Sequence, residues 1–265
     1  MITSLHNHTT WGDGKASPAE MMTAAATQGV DELGISDHLV LRPDREIPSW
    51  SLRPDQLDAY VSDLVRLRSE EGPAVRIGLE VDWFPAHPER IRDTLHGLPL
   101  DYVIGSVHEI DGFVVDVADA WQDLRLDQQN EIHREYWHRI ATLAGSGLFD
   151  IVAHLDLTKK HGYRPSIDLT REISAALDAI AAADLAVELN TSGWHFPAAD
   201  AYPSEPLVTA CRERCIPMLL SADAHEPAHV RRDFERGAAR LRKAGYENLV
   251  RFEDRRRISA PLCPD

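Results

Sequence analysis

Seven times in succession, a short run rich in β-branched residues is followed by a longer amphipathic stretch. Strict alternation of this kind permits little besides a parallel sheet with helices packed against it. The strand candidates are Ile2–His8, Glu32–Asp37, Val75–Val81, Tyr102–Val107, Asp150–His154, Ala186–Asn190 and Met218–Ala222. The helix candidates that follow them in turn are Pro18–Gln28, Pro54–Glu70, Pro88–His96, Asp127–Ala144, Leu169–Ala183, Glu205–Arg214 and His229–Ala244. Ser17-Pro18, Arg53-Pro54 and Asp168 supply helix starts. No composition break separates the units, so the pattern predicts one α/β domain over 1–265, a closed or nearly closed barrel over about 1–250. Periodicity leaves an open doubly wound sheet as the alternative. The segment after Phe252, with Arg255-Arg256-Arg257, reads as a short solvated basic tail.

The net charge of −15 repels nucleic-acid phosphate and anionic lipid, which argues against long polynucleotide or membrane partners. An anionic substrate would need local positive charge, and the 13 histidines direct attention to metal ions. Cys211, Cys215 and Cys263 are too few and too scattered for a disulfide framework. With no apolar run of bilayer length, and with Ile2–Leu5 leading straight into His6, a cytoplasmic location is expected. No glycine-rich loop offers a nucleotide cofactor a seat.

In His6-Asn7-His8 the imidazoles are two residues apart on a strand and face the same way. A lone pair of this type is weak evidence. Here His38, Glu80, His108, His154, Asp223 and His225 also fall at the carboxyl ends of strand candidates, and in a parallel barrel those ends form one rim. Asp13, in the turn Trp11-Gly12-Asp13-Gly14 leaving the first strand, lies on that rim too. His87, His96, His133, His138 and His229 read as surface residues of helices and helix ends.

The ordered segments HNHTTWGDG, ISDH, GLEVD, SVHEIDG, AHLD, ELNTSGW and SADAH resemble the PHP (polymerase and histidinol phosphatase) family, closest to its monofunctional histidinol-phosphate phosphatases. The resemblance implies a distorted (β/α)7 TIM-like barrel holding three divalent ions, zinc, iron or manganese. It implies that His6, His8, Glu80 and Asp223 hold one ion, and that Glu80 bridges to a second held by His108 and His154. Asp13, His38 and His225 would hold the third. Two ions sharing a carboxylate can deprotonate a bridging water near neutral pH, giving hydroxide as the nucleophile on phosphorus. Glu80 and Asp223 are thereby placed in the catalytic machinery.

The implied reaction is hydrolysis of L-histidinol phosphate to L-histidinol and phosphate. A nucleotide or sugar phosphate as the substrate, or a non-catalytic metal-stabilised binding module, are the alternatives. Lys160, in LDLTKKHGYRP after His154, is the leading phosphate-binding candidate, ahead of Lys159, Arg42 and Arg164. The family commonly has a basic residue after its NTSG motif, whereas this chain has Trp194-His195-Phe196. His195 could bind phosphate or protonate the leaving alkoxide. Trp11 and Trp194 could wall an imidazole pocket, Trp83 and Trp121 are expected to pack, and Glu109 could meet a substrate amine.

Overall fold

The computed structural model describes residues 1–262, so Cys263 lies outside the described residues. Seven parallel staves form the barrel. They are β1 (Thr3–Ser4), β2 (Glu32–Ile35) continued by β3 (His38–Leu39), β4 (Ala74–Asp82), β5 (Tyr102–Ser106), β8 (Ile151–Val152), β9 (Ala186–Asn190) and β10 (Met218–Ser221). The second stave breaks at Ser36-Asp37, after which His38 and Leu39 pair in parallel with Glu80 and Val81. The strand expected over Ile2–His8 ladders only at Thr3 and Ser4, yet it runs on to close the barrel. Asn7 bridges Ala224 in parallel, with His8 N–H to Ala224 O at 2.8 Å and Ala224 N–H to His6 O at 3.2 Å.

The helices are α1 (Pro18–Thr27), α2 (Leu57–Leu67), α3 (Pro88–Leu95), α4 (Ala118–Gln122), α5 (Leu126–Ala144), α6 (Thr170–Ala182), α7 (Glu205–Glu213) and α8 (Phe234–Lys243). At the start of α1, Ser17 accepts from Glu20 N–H while the Glu20 carboxylate accepts from Ser17 N–H, a reciprocal cap that fixes the strand-to-helix turn. Pro54–Gln56 and Pro227–His229 are 3₁₀ turns, so the helix expected from Pro54 begins at Leu57 and the one expected from His229 begins at Phe234. The short hairpin of β6 (Glu109–Ile110) and β7 (Phe113–Val114), and α4 after it, had no counterpart in the strand–helix alternation.

Strand side chains alternate between two cores. Val103, Val152, Val187, Met218 and Leu220 face the helices, while Leu5, Tyr102, Ile104, Ile151, Ala153, Ala186 and Leu219 fill the barrel interior. Tyr102 lies across Gly78, where an added Cβ would come within 2.4 Å of its ring, so only glycine leaves room for the phenol.

The basic tail expected after Phe252 is instead an ordered antiparallel hairpin, β11 (Asn248–Glu253) and β12 (Arg256–Pro261). Val250 and Phe252 join the interior cluster as its floor. The arginines that suggested a solvated end are partly paired, Arg255 with Asp150 and Arg257 with Asp184 at 2.8 Å. His133 is also buried rather than on the surface, its Nδ1 2.9 Å from Thr158 Oγ1.

Candidate metal centre

Strand periodicity and the barrel seam bring the first ligand candidates together. His6 and His8 point to the same side with ring centroids 5.0 Å apart, while Asn7 turns away and donates to Gly34 O at 2.8 Å. Asp223 follows β10 in the left-handed region, φ 50°, a conformation aspartate tolerates better than most residues. This carries its carboxylate across the seam, with Oδ1 3.2 Å from His8 Nε2 and 3.6 Å from His6 Nε2. Glu80 Oε2 sits opposite, 3.2 Å from His6 Nε2 and 3.6 Å from His8 Nε2.

The other oxygen of Glu80 faces a second group. Its Oε1 is 2.9 Å from His154 Nε2 and 3.6 Å from His108 Nε2, and these two nitrogens are 3.1 Å apart. The third group forms on the far side of His8, whose Nδ1 is 3.9 Å from Asp13 Oδ1. Asp13 also approaches His38 Nε2 at 3.9 Å and His225 Nε2 at 3.4 Å. His38 joins the groups, since its Nδ1 is 2.8 Å from Glu80 Oε2. Asp13 can reach this position because Gly14 folds back on the first stave. A Cβ at position 14 would stand 2.4 Å from the His8 carbonyl. Asp37 anchors the same turn by accepting from the backbone and hydroxyl of Thr9, and burial pushes its carboxyl up to about 6.

Several buried polar atoms of the cluster face one another without making a hydrogen bond. They include Nε2 of His6, both ring nitrogens of His8, Nδ1 of His38 and Oε2 of Glu80. Leaving such atoms unsatisfied is costly, and their lone pairs converge, so divalent ions fit the donor set. Imidazole with carboxylate suits zinc, iron or manganese better than calcium or magnesium. Supporting carboxylates orient two of the imidazoles: His6 Nδ1 lies 2.8 Å from Glu188 and His108 Nδ1 lies 2.7 Å from Asp82.

The electrostatics follow the same pattern. Burial would raise the Glu80 carboxyl, but His38, His6 and His108 hold it well below the usual range. For His108, burial is outweighed by Asp82 and Glu80, which push it up to about 10. His8 falls to about 3, through burial and then through its neighbours His225 and His38.

A cavity of about 500 Å³ opens over the cluster, lined by Asp13, His38, His108, His154, Asp223 and His225 together with Lys15, Trp50, Asp116, Lys160, Tyr202 and Arg232 among others. Lys160 faces this cavity and pairs with Asp116 at 3.2 Å. Arg42 and His195 are not among the lining residues: Arg42 pairs with Glu109 at 2.7 Å, and His195 Nε2 is 2.6 Å from Asp233. Lys159 is buried between Asp156 and Asp200, and Arg164 is exposed. Glu109, offered for a substrate amine, is thus already neutralised by Arg42.

Trp11 and Trp194 do not wall the pocket. The Trp11 indole N–H donates to Asp63, and Trp194 is buried under Arg236, 4.0 Å away. Trp50 takes that place, its ring edge-on to His38, with Phe196 and Tyr202 further along. Trp83 and Trp121 pack inside, as expected. His229, read as a surface residue, is half-buried and lines the cavity. Sequence reasoning missed Asp82 and Glu188, although Asp82 is two residues from Glu80 on one strand and therefore shares its face. Trp50 and Arg232 lie in loops, where no periodicity could flag them.

Among known proteins, a probable histidinol-phosphatase from Deinococcus radiodurans is 34% identical over 248 residues, spanning 92% of this chain and 94% of that protein. A histidinol-phosphatase from Lactococcus lactis is 24% identical over 257 residues, spanning 93% and 92%. The crystal structure of the Lactococcus lactis histidinol phosphate phosphatase, complexed with zinc, L-histidinol and phosphate, superposes with a TM-score of 0.80. It has 21% identity to this chain and covers 97% of it and 98% of its own length. The signature of the PHP domain matches residues 4–192. The chain belongs to the PHP domain family.

Proposed function

We propose that this protein is a metal-dependent phosphomonoesterase that hydrolyses L-histidinol phosphate to L-histidinol and inorganic phosphate. The observation that carries the reading is the convergence of histidine and carboxylate atoms from opposite sides of the barrel seam onto the floor of one cavity. His6, His8, Glu80 and Asp223 would hold one ion, Glu80 with His108 and His154 a second, and Asp13, His38 and His225 a third. Ions held there supply Lewis acidity, activating water and neutralising charge that develops on the phosphoryl oxygens.

The chain's own side chains do the rest. Glu80 fixes the spacing of the two groups by offering one oxygen to each, and Asp82 and Glu188 keep the imidazoles aimed inward. Lys160 brings a cation to the phosphoryl end of the cavity. Trp50, Leu157, Phe196 and Tyr202 offer apolar surface suited to an imidazole ring. His195, held by Asp233 and outside the cavity lining, is assigned no proton transfer. In the net reaction water oxygen bonds to phosphorus, the phosphorus–alkoxide bond breaks, and the alkoxide leaves protonated.

The names of the Deinococcus and Lactococcus relatives support the same substrate. The test is phosphate release by metal-analysed protein from a panel containing histidinol phosphate, sugar phosphates and nucleotides. Strong preference for histidinol phosphate is expected, with kcat reduced by orders of magnitude in His108→Ala. Preference for another ester would replace the substrate, and inertness toward all of them would remove the catalytic reading.

A further inference from the structure

Three permanently cationic side chains line the cavity: Lys15, Lys160 and Arg232. Two are already engaged by carboxylates, Lys15 with Glu226 at 3.0 Å and Lys160 with Asp116 at 3.2 Å. Arg232 makes no ion pair among the described residues. Its side chain makes one hydrogen-bond contact, Nη1 to His229 Nε2 at a long 3.3 Å, and its Nε is buried without a hydrogen-bond partner. A half-buried guanidinium in that state carries a desolvation cost that the nearby carboxylates of Asp233, Asp223 and Glu226 offset only in part.

The position of Arg232 is fixed although its head is not. Thr191 Oγ1 donates to the Arg232 carbonyl at 2.7 Å, and the neighbouring Asp233, in the left-handed region at φ 59°, is tied to His195 at 2.6 Å. Both anchors come from the turn that follows β9. That turn sends no permanent cation into the cavity, since Trp194 is buried beneath Arg236 and Arg240. The loop preceding α8 supplies one in its place.

We propose that Arg232 is the guanidinium that grips the phosphoryl group, a specificity-determining residue for a tetrahedral oxyanion entering the cavity. Nε and Nη2 form a planar fork that matches two phosphoryl oxygens, and a swing of the head toward them breaks no ion pair. Lys160, by contrast, must share its charge with Asp116. The inference rests on the phosphomonoesterase reading for its substrate but not for its ligand chemistry, because inorganic phosphate carries the same oxygens.

The experiment compares wild type, Arg232→Ala, Arg232→Gln and Arg232→Lys, each checked for bound metal per chain and for thermal unfolding. Calorimetric binding of inorganic phosphate to the metal-loaded protein is measured beside KM and kcat for histidinol phosphate. Loss of a charged hydrogen-bonding pair should weaken phosphate binding and raise KM by about 10- to 150-fold in the alanine and glutamine variants. Lysine should restore part of the affinity. Unchanged phosphate affinity and KM in folded, metal-replete variants would overturn the assignment while leaving the phosphatase reading intact. If wild type hydrolyses no phosphomonoester yet binds phosphate in an Arg232-dependent way, the phosphatase reading fails and the assignment stands. If Arg232→Ala does not fold, the glutamine and lysine variants decide.

Discussion

Asp82 shows how a residue outside the donor cluster controls it. It is 1% exposed, and its Oδ1 accepts from Ser106 and lies 2.7 Å from His108 Nδ1, so the opposite ring nitrogen of His108 faces His154 and Glu80. In Asp82→Ala the imidazole loses the partner that sets its tautomer and direction. Metal affinity should then fall by about 10- to 100-fold, read as equilibrium metal content in competition with a chelator. Unchanged affinity would show that His108 needs no such support. The nine ligand candidates were legible because strand ends in a parallel barrel share a rim, and histidine is rare enough to stand out there. The supports were harder to see, because Asp82 and Glu188 resemble any charged residue until burial is known. Aromatic residues misled for a similar reason: Trp11 and Trp194 lie near the rim in sequence, but which way an indole turns depends on Asp63 and Arg236, which are remote along the chain.

Among the elements, the terminal hairpin was hidden by its own arginines. In β11 the burial alternates, with Val250 and Phe252 inward and Leu249, Arg251 and Glu253 turned outward, but Arg255-Arg256-Arg257 drew attention to charge instead. Phe252 is 3% exposed and closes the barrel floor beneath Leu5, Tyr102 and Leu219. Phe252→Ala should therefore destabilise the protein by about 3–5 kcal/mol in denaturant unfolding, a range set by lost burial plus the cavity left behind. A cost below about 1 kcal/mol would mean that the hairpin does not seal the barrel. His133 on α5 was misread in the same way, although Asn130, His133, Tyr136, Trp137, Ile140 and Ala144 make one continuous buried face. Burial, and then Arg164, lower the His133 pKa from 6.5 to about 4. The folded state thus resists its protonation, and its contribution to stability is present above about pH 6.5 and lost as pH falls toward 4. With about 1.36 kcal/mol per unit, the penalty approaches about 3 kcal/mol at its largest. His133→Gln should flatten this part of the unfolding free energy between pH 7 and 4, and an unchanged slope would remove His133 as its source.

At the scale of the whole molecule, the sequence specifies seven strand–helix units but not whether the sheet closes, because closure depends on a few contacts between its first and last members. Here those contacts are few. β1 has only two laddered residues, and the seam to the last stave rests on the Asn7–Ala224 bridge with its two hydrogen bonds. The donor cluster straddles that seam, with His6 and His8 on one side and Asp223 and His225 on the other. Ions shared across it would act as a clasp, so metal removal should loosen the barrel locally before it unfolds the protein. Binding at 100-fold above Kd stabilises by about 2.7 kcal/mol per site, enough to move Tm by several degrees in a chain of this size. Chelation should lower Tm by at least about 5 °C. It should also accelerate amide hydrogen exchange at residues 6–8 and 222–225 far more than in the β11–β12 hairpin, whose six paired positions include no ligand candidate. Restoring zinc or manganese should reverse both changes. Uniform acceleration across all staves would mean that the ions stabilise the fold globally, and protection unchanged at His8 and Ala224 would mean that the seam holds without them.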